Sequence, residues 1–146
     1  MAHAENSVTI QRPAYVVFEF VLDGTKNKLW RPAVLAVERT SGARTGVGAT
    51  YRQQLKGPGG RPIAGDYAIT ACQSNELMRF QVTTGPARPT GEYRFAERDG
   101  TTTVTFILDF KPTGFARLMD RAITQTMRGE VATLANLKAY LERQQR

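Results

Sequence analysis

Histidine and cysteine are nearly missing from this 146-residue sequence, which holds one of each, His3 and Cys72. A Ser-His-Asp triad, a Cys-His pair and a histidine-rich metal site all need a histidine among folded elements. His3 reads as part of a mobile N-terminal tail, so these chemistries are excluded on inventory and no metal or cofactor is implied. A lone cysteine cannot form an internal disulfide, which agrees with a reducing compartment. Long apolar runs are missing as well. No window approaches the ~18 consecutive apolar residues of a membrane span. The opening Met1-Ala2-His3-Ala4-Glu5-Asn6 has neither a basic start nor an apolar signal core, so the expected location is cytoplasmic. Acidic residues are the minority charge, 13 Asp and Glu against 20 Lys and Arg, for a formal net charge of +7. The basic residues are spread from Arg12 to Arg146 with no run longer than two. They describe a solvated basic surface and do not favour nucleic acid, which selects clustered charge. An acidic protein partner or an anionic membrane face is compatible with that surface.

What is present is enough for one core. A chain of this length buries roughly 68–70% of its unfolded surface, and its hydrophobic fraction of 41% is ordinary for a globular protein. Residues 1–146 show no repeat, low-complexity tract or linker, so a single domain is expected. Val8 and Ile10 alternate with Thr9 and Gln11 in a first strand over 5–11. Pro13 then opens a helix to about Leu22, ended by Asp23-Gly24, and a second short helix over about 25–30 stops before Pro32. From Val34 to Lys111 the pattern becomes strands over 34–40, 47–56, 62–73, 76–84, 90–98 and 101–111. The breaks carry turn chemistry, above all Asp99-Gly100, which suits a type I′ turn with two positive φ angles. Connections this short permit only antiparallel neighbours. Gly46-Val47-Gly48 and Gly57-Pro58-Gly59-Gly60 look like fragments of nucleotide loops, yet one begins a strand, the other forms a hairpin turn, and neither opens a helix.

Pro112-Thr113-Gly114 switches the period, and residues 114–143 read as one helix of ~45 Å. At 100° per residue, Phe115, Met119, Ala122, Ile123, Met127, Leu134, Leu137, Tyr140 and Leu141 share an apolar arc. The fold class is therefore α+β: a seven-stranded curved antiparallel sheet, in the order β-α-α-β6-α, around a long C-terminal helix. Such a sheet encloses more volume than one helix fills, so an apolar cavity is expected between them. Thr126, Glu130 and Thr133 fall within the apolar arc. A carboxylate there needs a partner or water, so Glu130 either faces a polar or water-filled part of the interior or, through helix curvature, reaches solvent or an Arg at the edge. Gly129 beside it leaves room for close approach or is simply a slack helix position.

The stretch Ile10 to Val37 resembles the opening of the SRPBCC (START-related, polyketide cyclase/dehydrase and lipid transport) superfamily. The likeness lies in Pro13-Ala14, Phe18-Glu19-Phe20-Val21-Leu22-Asp23 and Leu29-Trp30-Arg31-Pro32. The run Asp99-Gly100-Thr101-Thr102-Thr103-Val104-Thr105, then Phe110-Lys111-Pro112-Thr113-Gly114 and Leu134-Ala135-Asn136-Leu137-Lys138, is similar to that family's last hairpin and terminal helix. The resemblance implies the helix-grip fold, in a family that includes lipid carriers, aromatic polyketide cyclases and plant hormone-binding proteins. Its motifs are structural and do not choose among these roles.

Strand alternation and the helical arc put Trp30, Tyr51, Gln53, Tyr67, Phe80, Tyr93, Phe106, Met119, Ile123, Met127 and Glu130 on the interior as candidate ligand-binding residues. Each aromatic also serves as ordinary core packing. The expected function is binding or transport of a small hydrophobic molecule, a lipid or polyketide-like compound. The alternative is a cyclase or dehydratase with Glu130 or Asp66 as general base and a Tyr or Arg79 steadying an enolate. A third reading is an interaction protein with a vestigial cavity. The chain is expected to be a monomer or weak homodimer.

Overall fold

The computed structural model describes residues 2–42, 46–111 and 114–144. Pro112 and Thr113, expected to mark the change of period, lie outside the described residues, as does the side chain of Phe115. Strand β1, Ala2–Ile10, starts earlier than its alternation suggested and runs antiparallel to β8, Thr101–Phe110, from Ala2↔Phe110 to Ile10↔Thr102. His3 is therefore not in a mobile tail. It sits opposite Asp109, with Nδ1 2.5 Å from that carboxylate.

Helix α1, Ala14–Leu22, begins at Pro13, which offers no side-chain cap. Glu97, reaching over from the sheet, accepts the Ala14 N–H at 2.6 Å and supplies the missing acceptor. Asp23 closes the helix and starts the next element: its carboxylate accepts the Thr25 N–H at 3.1 Å and caps a 3₁₀ helix over Gly24–Leu29. The three-residue period of that helix turns Gly24 and Asn27 inward, and Trp30 follows at the same spacing.

Strands β2 (Val34–Ser41), β3 (Thr50–Lys56), β4 (Pro62–Ala64), β5 (Tyr67–Gln73), β6 (Leu77–Val82) and β7 (Thr90–Arg98) complete one antiparallel sheet. Its order is β1-β8-β7-β6-β5-β3-β2, seven strands on one path, with β4 paired to β3 beside it. The strand expected over 62–73 is thus two strands. At Gly65-Asp66 the backbone leaves the ladder: Gly65 N–H donates to Gln53 O at 2.8 Å, and the Asp66 side chain, in place of a backbone carbonyl, accepts the Gln53 N–H at 3.0 Å. Asp99 and Gly100, at φ 54° and 77°, form the tight turn their sequence called for.

The single helix expected over 114–143 is three pieces: a 3₁₀ segment Gly114–Met119, then α2, Asp120–Ala132, then α3, Leu134–Arg143. The break falls at Thr133, whose hydroxyl turns back to donate to Glu130 O at 2.5 Å. Leu134, Leu137 and Leu141 are fully buried and Met127 and Val131 nearly so, whereas Ala122 and Thr126 face outward. Met119, placed on the apolar arc by a constant 100° step, is 56% exposed because its segment winds as a 3₁₀ helix. Asn6 Nδ2 donating to Val131 O and Lys138 Nζ donating to Thr9 O tie the helices over β1 and cover that sheet edge.

Candidate functional site

The concave face of the sheet carries aromatic rings on five strands, among them Tyr51 on β3, Tyr67 on β5, Phe80 on β6, Tyr93 with Phe95 beside it on β7, and Phe106 on β8. Register explains the series. Tyr51 lies directly opposite Tyr67 and Tyr93 opposite Phe106, with ring centroids 4.9 and 4.3 Å apart in stacked geometry. Phe80 bridges the two pairs, 5.4 Å from Tyr67 and 5.9 Å from Tyr93. Trp30 meets Tyr93 edge-on at 6.3 Å. These separations are those of favourable aromatic pairs, each worth about 0.5–1.5 kcal/mol beyond area burial.

Two glycines make the wall possible, and neither was singled out from sequence for that reason. Gly91 is the cross-strand partner of Phe80, and a Cβ there would lie 2.0 Å from the tip of the Phe80 ring. At Gly24 a Cβ would lie 2.0 Å from the Tyr67 hydroxyl and 2.8 Å from the Tyr51 ring. Only a residue without a side chain lets the rings lie where they do.

Polar groups are set into this wall. Asn27 Nδ2 donates to Gln53 Oε1 at 3.0 Å and to the Tyr67 hydroxyl at 2.9 Å, and Gln53 Nε2 donates to Gly65 O at 3.4 Å. Arg31 is buried, and its Nε and Nη2 both donate to Glu130 Oε2, at 3.0 and 2.7 Å. Burial disfavours the Arg31 charge, but the Glu130 carboxylate outweighs that and holds the guanidinium pKa above its ordinary value. Tyr93 and Tyr67 are both pushed well above the usual tyrosine range, chiefly by burial, with Arg31 opposing the shift in each. Both phenols stay neutral at physiological pH. The Trp30 Nε1–H and the Tyr51 hydroxyl are buried with no hydrogen-bond partner among the described residues. Asn136 of α3, donating to Trp30 O at 3.1 Å, fixes the backbone that presents the indole.

Of the candidates read from sequence, Trp30, Tyr51, Gln53, Tyr67, Phe80, Tyr93, Phe106 and Met127 are buried together, and Ile123 packs at the margin of the core. Glu130 takes the paired alternative, with Arg31 as its partner. Met119 is not part of the wall. Arg79, the proposed enolate partner, lies on the convex face bound to Glu92, and the Asp66 carboxylate is engaged by backbone. Arg31 and Asn27 were missed. The signal for Asn27 was the three-residue spacing Gly24, Asn27, Trp30, legible only once that turn is known to be 3₁₀; Arg31 lies outside that spacing.

The expected open hollow is not what the rings present: they are in mutual contact. Two depressions among the described residues, of about 420 and 360 Å³, open on the convex face. One is bordered by Glu76, Arg94 and Thr103, the other by His3, Glu92 and Asp109. None of the helices among the described residues is long and apolar enough to cross a membrane.

A curved antiparallel sheet closed by C-terminal helices over a buried, polar-studded aromatic wall defines a helix-grip domain. The chain belongs to the polyketide cyclase/dehydrase and lipid transport family, whose profile matches residues 1–142. Its fold is similar to that of the protein TTHA0849 from Thermus thermophilus, with a TM-score of 0.78, 18% identity and 94% of each chain covered. The Zhui aromatase/cyclase from Streptomyces sp. R1128 superposes with a TM-score of 0.75 at 20% identity, covering 99% of this chain and 95% of that one. A START superfamily protein from Mycobacterium smegmatis gives 0.74 at 12% identity, covering 97% and 99%. No curated protein matches the sequence at a significant level.

Proposed function

We propose that the protein binds a small, largely apolar molecule between the concave face of its sheet and the C-terminal helices, acting in the cytoplasm as a binding or carrier protein. One observation carries this reading: the Trp30 Nε1–H and the Tyr51 hydroxyl stand unpartnered inside an aromatic wall. A buried donor without an acceptor costs about 1–3 kcal/mol, a cost with no structural return unless another molecule supplies the acceptor. The family and the fold support the same reading, since its description includes both polyketide and lipid chemistry.

Because the rings touch one another, a guest enters by displacing part of the wall. The segment best placed to yield is 117–126, which leaves Leu118 84% and Met119 56% exposed. The carboxylates give the enzyme reading less support. Arg31 Nε and Nη2 both hold Glu130 Oε2, and Asp66 Oδ1 is spent on the Gln53 N–H. Native mass spectrometry of the freshly purified protein tests the proposal. An added mass of a few hundred daltons, released by organic solvent and lost in Tyr51→Phe/Trp30→Phe, is the expected result. Absence of any such adduct, together with failure of apolar aromatic probes to bind, would overturn it.

A further inference from the structure

The buried ion pair of the interior carries no net charge. Among the described residues the buried charged groups are Asp23, Arg31 and Glu92, and Glu130 joins them at 15% side-chain exposure. Asp23 is occupied at the head of the 3₁₀ helix, Glu92 faces the convex side between Arg79 and Arg94, and the half-buried Asp66 is engaged by the Gln53 N–H. Arg31 and Glu130, one positive and one negative, hold each other against phenols that stay neutral. The Trp30 Nε1–H and the Tyr51 hydroxyl, buried without a partner among the described residues, can each donate: an indole N–H can only donate, and the tyrosine hydroxyl has one proton to give.

We infer that this interior, taken as the binding site proposed above, selects neutral ligands bearing a hydrogen-bond acceptor such as a ketone, and rejects carboxylates, with Glu130 enforcing the choice. A ketone oxygen offers an acceptor to either the Trp30 or the Tyr51 donor without adding charge. A carboxylate of the same shape offers an acceptor too, but it brings a second negative charge into a water-poor interior that already holds the Glu130 carboxylate and where Arg31 is already neutralised, and that repulsion is uncompensated. Discrimination by an unmatched charge is the kind of specificity that shape alone does not provide. The guest class is therefore a flat ketone or ester and not a free fatty acid or aromatic acid.

The experiment is a calorimetric titration of the whole chain at pH 7.5 with 2-acetylnaphthalene and with 2-naphthoate, which share a ring system and differ in the charge of the polar group. The wild-type protein is expected to bind the ketone at least about tenfold more tightly than the acid. In Glu130→Gln the order changes: Arg31 now lacks its counter-charge, 2-naphthoate gains about tenfold or more, and the ketone stays within about threefold. A second variant, Arg31→Met/Glu130→Leu, removes both charges and leaves no orphaned ion to unfold the protein. It keeps the ketone, and the acid gains nothing. Equal affinity of the wild type for both probes, or a gain for 2-naphthoate in the doubly substituted protein, overturns this inference while leaving interior binding intact. If neither probe binds any of the three proteins, interior binding itself falls, and the selectivity with it.

Discussion

Replacing Arg31 by methionine keeps an unbranched apolar stem, shorter than arginine, and removes the charge, which leaves the Glu130 carboxylate without its two donors. Removing one partner of a buried ion pair costs about 3–5 kcal/mol. The two side chains are 9% and 15% exposed, so limited hydration of Glu130 brings the expected loss to the lower end, about 3 kcal/mol, or about 10 °C in Tm for a chain of this length. Urea unfolding followed by circular dichroism at pH 7.5 measures the loss. Adding Glu130→Gln to Arg31→Met removes the orphaned charge and restores about 2 kcal/mol at pH 7.5. A single variant within about 1 kcal/mol of wild type, or no recovery on adding Glu130→Gln, refutes the view that this pair is a buried, mutually dependent unit.

Three further outcomes are expected. Tyr51→Phe deletes a hydroxyl that has no partner, so the unliganded protein gains up to about 1 kcal/mol while affinity for a ketone probe falls; Tyr67→Phe, which strips an acceptor from Asn27, loses about 1 kcal/mol, and calorimetric melting separates the two. Gly91→Ala drives a methyl into Phe80 and destabilises by about 1–3 kcal/mol in equilibrium unfolding, with Phe80→Leu as the compensating second change. His3 titrates above its ordinary value of about 6.5 because of the Asp109 carboxylate and, less strongly, Glu5. The stabilisation from that pair is present below about pH 6.5 and fades as pH rises through the raised folded pKa, so His3→Gln should differ from wild type at pH 5.5 and match it at pH 9; proton NMR of the single imidazole gives the pKa directly.

The fold was legible because its signals are local. Alternation at Tyr51, Gln53 and Leu55 named the inward face of β3 without reference to any other strand, and Asp99-Gly100 named its turn from two residues. The site was legible only in its apolar part, for the same reason. Each ring announced its face by strand parity, but what fixes the rings is long-range: Gly91 matters because register sets it against Phe80, and Gly24 because a 3₁₀ turn brings it under Tyr67. Glu130 stood out as a carboxylate in an apolar arc, yet its partner is 99 residues away in sequence and follows a turn with no amphipathic period. Met119 shows the opposite error. A helical step extrapolated through a segment that winds differently accumulates phase, and it placed on the inside a residue that the chain leaves in solvent.

The closing helices are held unequally, and this bears on how a packed interior could serve as a binding site. Beyond Thr133 the contacts are firm: Leu134, Leu137 and Leu141 are fully buried, Asn136 grips the Trp30 carbonyl, and Lys138 reaches the Thr9 carbonyl. Over 117–126 Ile123 packs against the core, while Leu118, Met119, Ala122 and Thr126 are exposed. Glu130 stands between the two regimes, and its bonds to Arg31 are the last strong tether before the looser half begins. The unpartnered indole of Trp30 is thus presented from the rigid side, where its direction is fixed in advance, while the space a guest needs comes from the side that yields at least cost. A site built this way keeps its polar recognition preorganised and confines its adaptation to apolar contacts, which are non-directional and tolerate displacement.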